Sequence, residues 1–449
     1  MGTATTSAPP RPQLTPCPAW LGGPAWLGRL VRHVAVWYAG FAVYAAGVAL
    51  FSGPGLDHYW GIWGAGGYTA AAVLAWRWRT ARGRAAALAA ALAGALAGPV
   101  AWLALCARAT PDTTVVTRSA VLLIHHATPY LAPAQLAHGG WLAYNPYLAV
   151  MAVFGLPKAL GLPGLAGDPR PWLAAATFLL LAAAFRAVAQ PAPLRRAAFA
   201  TASPVMAFPI ALGITDPPVL ALTCLTLALL ARPAGTRAAW PAALVLGVAC
   251  AMKYTAWPAL AVLASMVAVR DGARAAVRFA TVTVSAAAVL AAAVAPASLA
   301  SPAALIQNTI SFPLGLTTAR SPAQSPLPGH LLATLGPAGH LAAIILLITA
   351  GVAIVASLVI RPPADTLAAA RRLALGLTLM FALSPATRFG YLAYPVGLLG
   401  WIALCHPSTL IPSRTGNRPN SRLRVESGAA RQRTPCRVGP SGSGSGATG

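Results

Sequence analysis

The sequence predicts an all-α, polytopic membrane protein with about twelve transmembrane helices and external interfacial helices. Of its 449 residues, 57% are hydrophobic and only 9% are charged, whereas a soluble domain carries about a quarter charged residues. The mean hydropathy is +0.67, and many apolar runs approach the roughly 20 residues needed to cross a bilayer. These observations exclude an ordinary soluble globular domain.

The two ends of the chain differ from its apolar middle, which predicts three regions. Residues 1–28 are rich in Pro, Thr and Gly and lack the features of a signal peptide, so we expect a disordered cytoplasmic lead. Residues 406–449 are rich in Arg, Ser, Pro and Gly, which predicts a disordered basic cytoplasmic tail. Residues 29–405 form the predicted transmembrane domain.

Twelve crossings are predicted in this domain, ten from single apolar runs and two from one longer stretch. The ten runs are Val34–Phe51, Tyr59–Trp76, Ala85–Ala107, Trp172–Ala189, Ala197–Leu212, Val219–Ala231, Phe279–Pro296, Leu341–Ile360, Leu373–Leu383 and Tyr391–Leu404. The longer stretch is Trp240–Val269, and it is predicted to form two helices with Lys253 and Tyr254 at the join.

The arginines predict the orientation, because cytoplasmic loops carry an excess of Lys and Arg. Arg29, Arg32 and the arginines of 77–84 place the amino end and the second loop inside. Tyr147–Gly161 is either a crossing or an external segment that returns to the same side. We prefer the return, because it keeps later arginines such as Arg195 inside and both termini cytoplasmic. Four acidic residues then fall at the outer face: Asp57, Asp112, Asp168 and Asp216.

The net charge and the cysteines argue against two other kinds of site, for nucleic acid and for zinc. The formal net charge of +25 is compatible with nucleic-acid binding, but the basic residues lie singly or in short clusters between apolar runs, as in membrane-protein loops. The six cysteines are scattered and form no CxxC pair, so neither zinc binding nor a disulfide framework is predicted. No nucleic acid, metal or cofactor is therefore predicted.

A few polar residues stand out against the apolar background. Asp112 begins an amphipathic segment suited to the membrane interface; it either caps that helix or serves as a base. Lys253 lies in an apolar stretch, where charges are expensive and often functional. Arg388 lies among aromatic residues and is either an interfacial anchor or a phosphate ligand. Asp216 precedes Pro217, which favours a helix cap.

The order of several motifs resembles the GT-C type of polyprenol-phosphate-dependent glycosyltransferases, and is most similar to glycosyltransferase family 87 of actinobacteria. The matching motifs are Asp112 with its amphipathic segment, Pro129-Tyr130, Tyr144-Asn145-Pro146-Tyr147, Gly213 to Asp216, Ala251 to Thr255, Ser321 to Ser325 and Ser384 to Pro395. The resemblance implies a GT-C-like fold and the inverting transfer of a hexose, with mannose as the expected sugar, from a polyprenyl-phosphate donor to an extracytoplasmic glycolipid or glycan.

The resemblance also implies roles for individual residues. Asp112 matches the acidic residue of the family's first loop, the general base. The family reaches that residue after one transmembrane helix, whereas three predicted helices precede Asp112, so Asp57 is the alternative base. Arg388 and Lys253 are expected to bind the donor phosphate. Substrate contacts are expected from Tyr130, Asp216, Arg320 and Gln324.

The leading hypothesis is a hexosyltransferase of the bacterial plasma membrane with its active site on the outer face. The donor is a lipid-linked substrate, so the reaction needs one carboxylate base and one or two cations for the leaving phosphate. A membrane transporter or lipid flippase is the alternative, since Lys253, Pro209 and Pro258 are compatible with broken helices. A family member with a structural role and no turnover is a third possibility.

Overall fold

The computed structural model describes residues 33–232, 236–319 and 322–405. Within these ranges the chain is predominantly helical and has no β-strand, only an isolated bridge between Gln324 and Thr387. The prediction of an all-α protein is therefore confirmed for the described residues. The predicted lead (1–28), the predicted tail (406–449) and Arg320 lie outside them.

Eleven helices precede residue 212 in the described part of the chain. They are α1 Val34–Phe51, α2 Leu56–Arg77, α3 Ala81–Leu92, α4 Gly98–Leu105, α5 Pro111–His126, α6 Pro133–His138, α7 Leu156–Ala159, α8 Gly164–Gly167, α9 Pro169–Ala187, α10 Pro193–Ala202 and α11 Pro204–Ala211. A π-helical turn, Ala93–Ala97, joins α3 to α4.

The remaining described residues form nine further α-helices. They are α12 Asp216–Leu230, α13 Thr236–Met252, α14 Trp257–Asp271, α15 Ala273–Val294, α16 Pro302–Ile306, α17 Pro328–Ala333, α18 Pro337–Ile360, α19 Thr366–Leu383 and α20 Ala393–Cys405. Short 3-10 turns lie between several of them, and a second π-helical turn, Gln307–Ser311, follows α16.

Five helical segments are long and apolar enough to cross a membrane. They are α1, the continuous α3–α4 segment, α15, α18 and α19. Large apolar side chains cover their outer surfaces: on α18, Ile345, Ile348, Val352, Val355 and Val359 are all more than half exposed. A soluble monomer rarely exposes such a continuous apolar surface.

One predicted run differs from the structure in detail, whereas the stretch that we expected to return without crossing has helical pieces too short to span a bilayer. The run Ala197–Leu212 contains two helices, because Ser203 takes an extended conformation before Pro204, as a residue that precedes proline prefers. The stretch Tyr147–Gly161 forms a 3-10 segment and the single turn α7, and it packs on α5 at Gly155. Its helical pieces are much shorter than the roughly 20 residues of a crossing.

Hydrogen bonds between distant segments group the helix ends into two sets. In one set, the Thr110 hydroxyl donates to the Leu212 carbonyl over 2.6 Å. In the other, the Gln190 side-chain amide donates to the Cys405 carbonyl over 2.7 Å. We call the end of the molecule that contains Thr110 and Leu212 the site end, and the end that contains Gln190 and Cys405 the arginine end.

The π-helical turn allows α2 and the α3–α4 segment to pack closely. A Cβ added at Gly67 would lie 2.6 Å from the Gly94 Cα, so the two backbones meet there without side chains between them. A π turn disrupts the regular backbone hydrogen bonds of a helix, and here the buried Trp60 indole N–H donates to the Ala95 carbonyl over 2.8 Å. The crossing therefore depends on two glycines and one tryptophan.

Candidate functional site

The site begins where α5 begins, at the site end. The Thr110 hydroxyl accepts a hydrogen bond from the Thr113 amide, and the Thr113 hydroxyl accepts one from the Thr110 amide. This capping box satisfies free amides at the start of the helix, and the N-cap residue is Thr110, so Asp112 does not cap α5. The Asp112 carboxylate is therefore available for contacts outside its helix, in the favourable field of the helix N-terminus.

Asp112 lines a cleft with an empty volume of about 880 Å³, open solvent included. The cleft contains four of the residues singled out from the sequence: Asp112, Asp216, Lys253 and Arg388. They come from segments far apart in the chain, and their formal charges cancel. Aromatic and proline side chains, including Trp141, Tyr144 and Phe312, form much of the remaining wall.

The Asp112 carboxylate has a different partner at each oxygen. Its Oδ1 accepts a hydrogen bond from the Tyr147 hydroxyl, and its Oδ2 lies 3.8 Å from Nη1 of Arg388. Burial, together with the nearby Asp112 charge, raises the pKa of Tyr147 well above its usual value. The phenol therefore remains a donor and fixes the orientation of the carboxylate.

Arg388 is the more accessible cation of the cleft. Its side chain is 34% exposed, and within the described residues only Asp112 forms an ion pair with it. Burial alone would lower the pKa of Arg388, but Tyr391 and Asp112 act in the opposite direction, and the net shift is upward. The guanidinium is thus permanently charged and loosely held.

Lys253 is bound much more tightly. Its Nζ lies 2.5 Å from Oδ1 of Asp216, and both side chains are at least 94% buried. The ammonium also lies 5.3 Å from the centre of the Tyr147 ring and 5.7 Å from that of Tyr391, within the range of cation–π attraction. Among the described residues, Asp216 makes no capping hydrogen bond, so the structure does not support the prediction that it caps a helix.

Two buried asparagines hold the segment that carries Tyr147. The Asn308 side-chain oxygen accepts from the Asn145 amide over 2.8 Å, and the Asn145 side-chain oxygen accepts from the Tyr147 amide over 3.0 Å. Both asparagines are at least 97% buried, and buried polar networks of this kind are rigid when every member is satisfied. Asn308 therefore fixes the position of Tyr147, and through it Asp112.

The opposite wall carries Arg388 on a bonded pair of segments. The Thr387 amide donates to the Ala323 carbonyl, and the Ser325 amide donates to the Thr387 carbonyl, each over 2.9 Å. The Ser325 hydroxyl accepts from the Phe389 amide over 3.0 Å. Gln324, a predicted substrate contact, lies in this bonded segment with an exposed side chain, next to the cleft wall.

Two other predicted site residues lie away from the cleft wall. Tyr130 is 4% exposed, and its hydroxyl donates to the Tyr147 carbonyl over 3.0 Å, so it supports the site from behind. Asp57, the alternative base, lies in the first turn of α2 and is not part of the lining.

Several residues that organise the site have only an interfacial role, or no role, in the predictions from sequence. Tyr144 stacks on Phe312, with ring centres 4.5 Å apart and an interplanar angle of 9°. Arg118 donates to the carbonyls of Leu142 and Ala143 and so holds the loop that carries Tyr144. The motif Tyr144-Asn145-Pro146-Tyr147 was a usable signal, but nothing in its spacing identifies Phe312 or Asn308 as its partners.

Comparisons with known proteins give no match. No protein-family model, no curated protein and no solved structure matches this chain. The geometry of the cleft and the chemistry of its residues therefore remain as the indicators of function.

Proposed function

We propose that the chain is an integral membrane hexosyltransferase that uses a polyprenyl-phosphate sugar, with mannose as the expected hexose, and inverts the anomeric carbon. One observation carries the proposal: Asp112 and Arg388 lie 3.8 Å apart in one cleft. A carboxylate beside a cation is the minimal equipment for deprotonating an acceptor hydroxyl and neutralising a leaving phosphate. The ordered motifs that resemble glycosyltransferase family 87 lend further support.

We infer twelve membrane passes in a GT-C-like arrangement. They are α1, α2, α3–α4, α9, α10–α11, α12, α13, α14, α15, α18, α19 and α20. Arginines concentrate at the arginine end, in the α2–α3 loop and at Arg186, Arg195, Arg232, Arg274 and Arg361. By the positive-inside rule that end faces the cytoplasm, and the cleft faces the outer side of a bacterial plasma membrane.

The reaction can be written with the residues present. Oδ2 of Asp112 accepts the proton of the acceptor hydroxyl while the hydroxyl oxygen forms a bond to the anomeric carbon of the sugar. The bond between that carbon and the donor phosphate oxygen breaks, and the lipid phosphate leaves with the bonding electron pair. The acceptor is a glycolipid or glycan.

Arg388 is the better ligand for the donor phosphate, and this changes the role inferred for Lys253. The Lys253–Asp216 pair is buried and short, and separating it would leave an uncompensated buried charge. Arg388 can exchange Asp112 for a phosphate, which offers the guanidinium a bidentate partner. Donor binding then also frees Oδ2 of Asp112 for the acceptor.

The alternative function is a transporter or lipid flippase. One observation favours it: the buried Lys253–Asp216 pair lies where α13 ends and the chain is extended before α14, and interrupted helices with buried charges are typical of transport sites. The same pair is compatible with a transferase, in which it serves as a fixed structural charge.

An assay of the purified protein with radiolabelled polyprenyl-phosphate mannose tests the proposal. We expect label to move to a glycolipid acceptor in the wild type and not in Asp112→Asn. If none of the polyprenyl-phosphate hexoses tested donates its sugar, the proposal is contradicted. In sealed proteoliposomes, label that changes leaflet without a change of chemical form supports the transporter.

A further inference from the structure

A second concave site lies at the arginine end, apart from the cleft. Helices α13 and α15 meet closely at Gly247, where an added Cβ would lie 2.6 Å from the Ala286 Cβ and 2.9 Å from the Thr283 carbonyl oxygen. Toward the arginine end a groove with an empty volume of about 380 Å³, open solvent included, lies between them. Most of its lining is small or apolar: Ala239, Ala243, Ala275, Phe279 and Val282.

The polar side chains of the groove leave one positive charge available. Asp271 lines it, but its carboxylate accepts two hydrogen bonds from Arg270, over 2.9 and 2.8 Å. Arg278 also lines it and is exposed, and within the described ranges no hydrogen bond or ion pair holds its guanidinium. Trp240 is 55% exposed beside it.

We propose that this groove binds one anionic phospholipid. The phosphate pairs with the Arg278 guanidinium, whose planar donors match phosphate oxygens. One acyl chain follows the apolar wall between α13 and α15, and Trp240 lies at the depth of the headgroup, as interfacial tryptophans do. Basic pockets between helices on the cytoplasmic side are suited to such headgroups.

Charge decides in favour of an anionic lipid over a zwitterionic one. Asp271 is already neutralised by Arg270, so the net field of the groove is that of Arg278. A phosphatidylcholine headgroup carries its own cation and gains little from a second one. The proposal rests on the membrane placement given under Proposed function and is independent of sugar transfer.

Native mass spectrometry of the detergent-purified full chain tests the proposal. Dioleoyl-phosphatidylglycerol and dioleoyl-phosphatidylcholine are added in equal amounts, without any sugar donor. We expect the first phosphatidylglycerol to be retained in preference, and Arg278→Gln to lower its apparent affinity about fivefold, the effect of about one basic residue near a membrane surface. Arg278→Lys should keep most of the preference.

The matched control is Arg195→Gln, which removes another exposed arginine of the arginine end outside the groove. It should leave lipid retention unchanged. Equal loss in both Gln variants overturns the proposal, as does equal retention of the two lipids by the wild type. A brominated acyl chain locates the lipid: it should quench less total tryptophan fluorescence in Trp240→Phe than in the wild type, and an unchanged quenched intensity also overturns the proposal.

Discussion

The role of Asp112 depends on which neighbouring residues cap its helix. At the start of a helix an aspartate most often caps it, and the sequence left that reading open. Thr110 and Thr113 provide the cap in the structure, so the carboxylate bonds instead to Tyr147 and faces Arg388. A fixed carboxylate with one oxygen directed at a loosely held cation is suited to take a proton.

The substitution Asp112→Asn tests this role directly. We expect transfer to fall at least about 100-fold, because an amide cannot accept the proton and general bases contribute factors of that size. Turnover of radiolabelled donor is the measurement. Asp57→Asn is the matched control and should keep near-normal activity; the opposite pattern would make Asp57 the base.

The Lys253–Asp216 pair gives a prediction on stability. Lys253→Met leaves the Asp216 carboxylate buried without its partner, which costs about 3–5 kcal/mol. The double substitution Lys253→Met with Asp216→Leu removes both charges and should recover much of that loss. Thermal unfolding in detergent measures both, and a double variant no more stable than the single one contradicts a coupled pair.

The sequence predicted which residues form the site better than it predicted which of them pair with each other. Residue type and motif order indicated Asp112, Asp216, Lys253 and Arg388, all of which line the cleft. Their pairing was not predictable, because it depends on distances between helices that are remote in the chain. Tyr147 resembled an interfacial aromatic for the same reason: its hydroxyl partner comes from another segment.

The apolar runs predicted where the helices lie better than they predicted where helices are interrupted. The join at Lys253 was predicted, because a charge within an apolar stretch favours a helix end, and α13 ends at Met252. The interruption at Ser203 was not predicted, although Pro204 was visible. The π-helical turn Ala93–Ala97 has no sequence signature in an alanine-rich run.

The crossing of α2 with the α3–α4 segment gives a prediction at this scale. Gly67→Val should destabilise the protein by about 1–3 kcal/mol, the usual cost of overpacking, because its Cβ would meet the Gly94 backbone. Gly66→Val is the matched control, since a Cβ at Gly66 meets nothing within 4 Å. Equal unfolding temperatures for the two variants would show that the crossing tolerates side chains.

For the whole molecule, the twelve proposed passes place the cleft and the arginine end on opposite faces of the membrane. Cys106 follows α4 at the site end and is exposed, while Cys224, Cys250 and Cys405 are buried. The chain therefore carries a natural reporter of orientation.

Cys106 should react with a membrane-impermeant maleimide added outside intact cells, in a background with Cys17→Ser and Cys436→Ser. In the same background with Cys106→Ser, Arg82→Cys reports on the arginine end and should react only after permeabilisation. Mass shift of the purified protein is the readout. Labelling of both positions from outside is incompatible with the proposed topology.

The bond between Asn145 and Asn308, reinforced by the stacking of Tyr144 on Phe312, joins two stretches of one cleft wall into a single unit. Separating these two stretches would leave the buried amide groups of Asn145 and Asn308 without hydrogen-bond partners. We therefore expect the segment that bears Arg388, which is bonded only at Ala323 and Ser325 in the bonds described above, to move when the cleft widens for a bulky ligand. The same short segment, around Arg388, thus controls both the size of the ligand that can enter and the pairing of its negative charge.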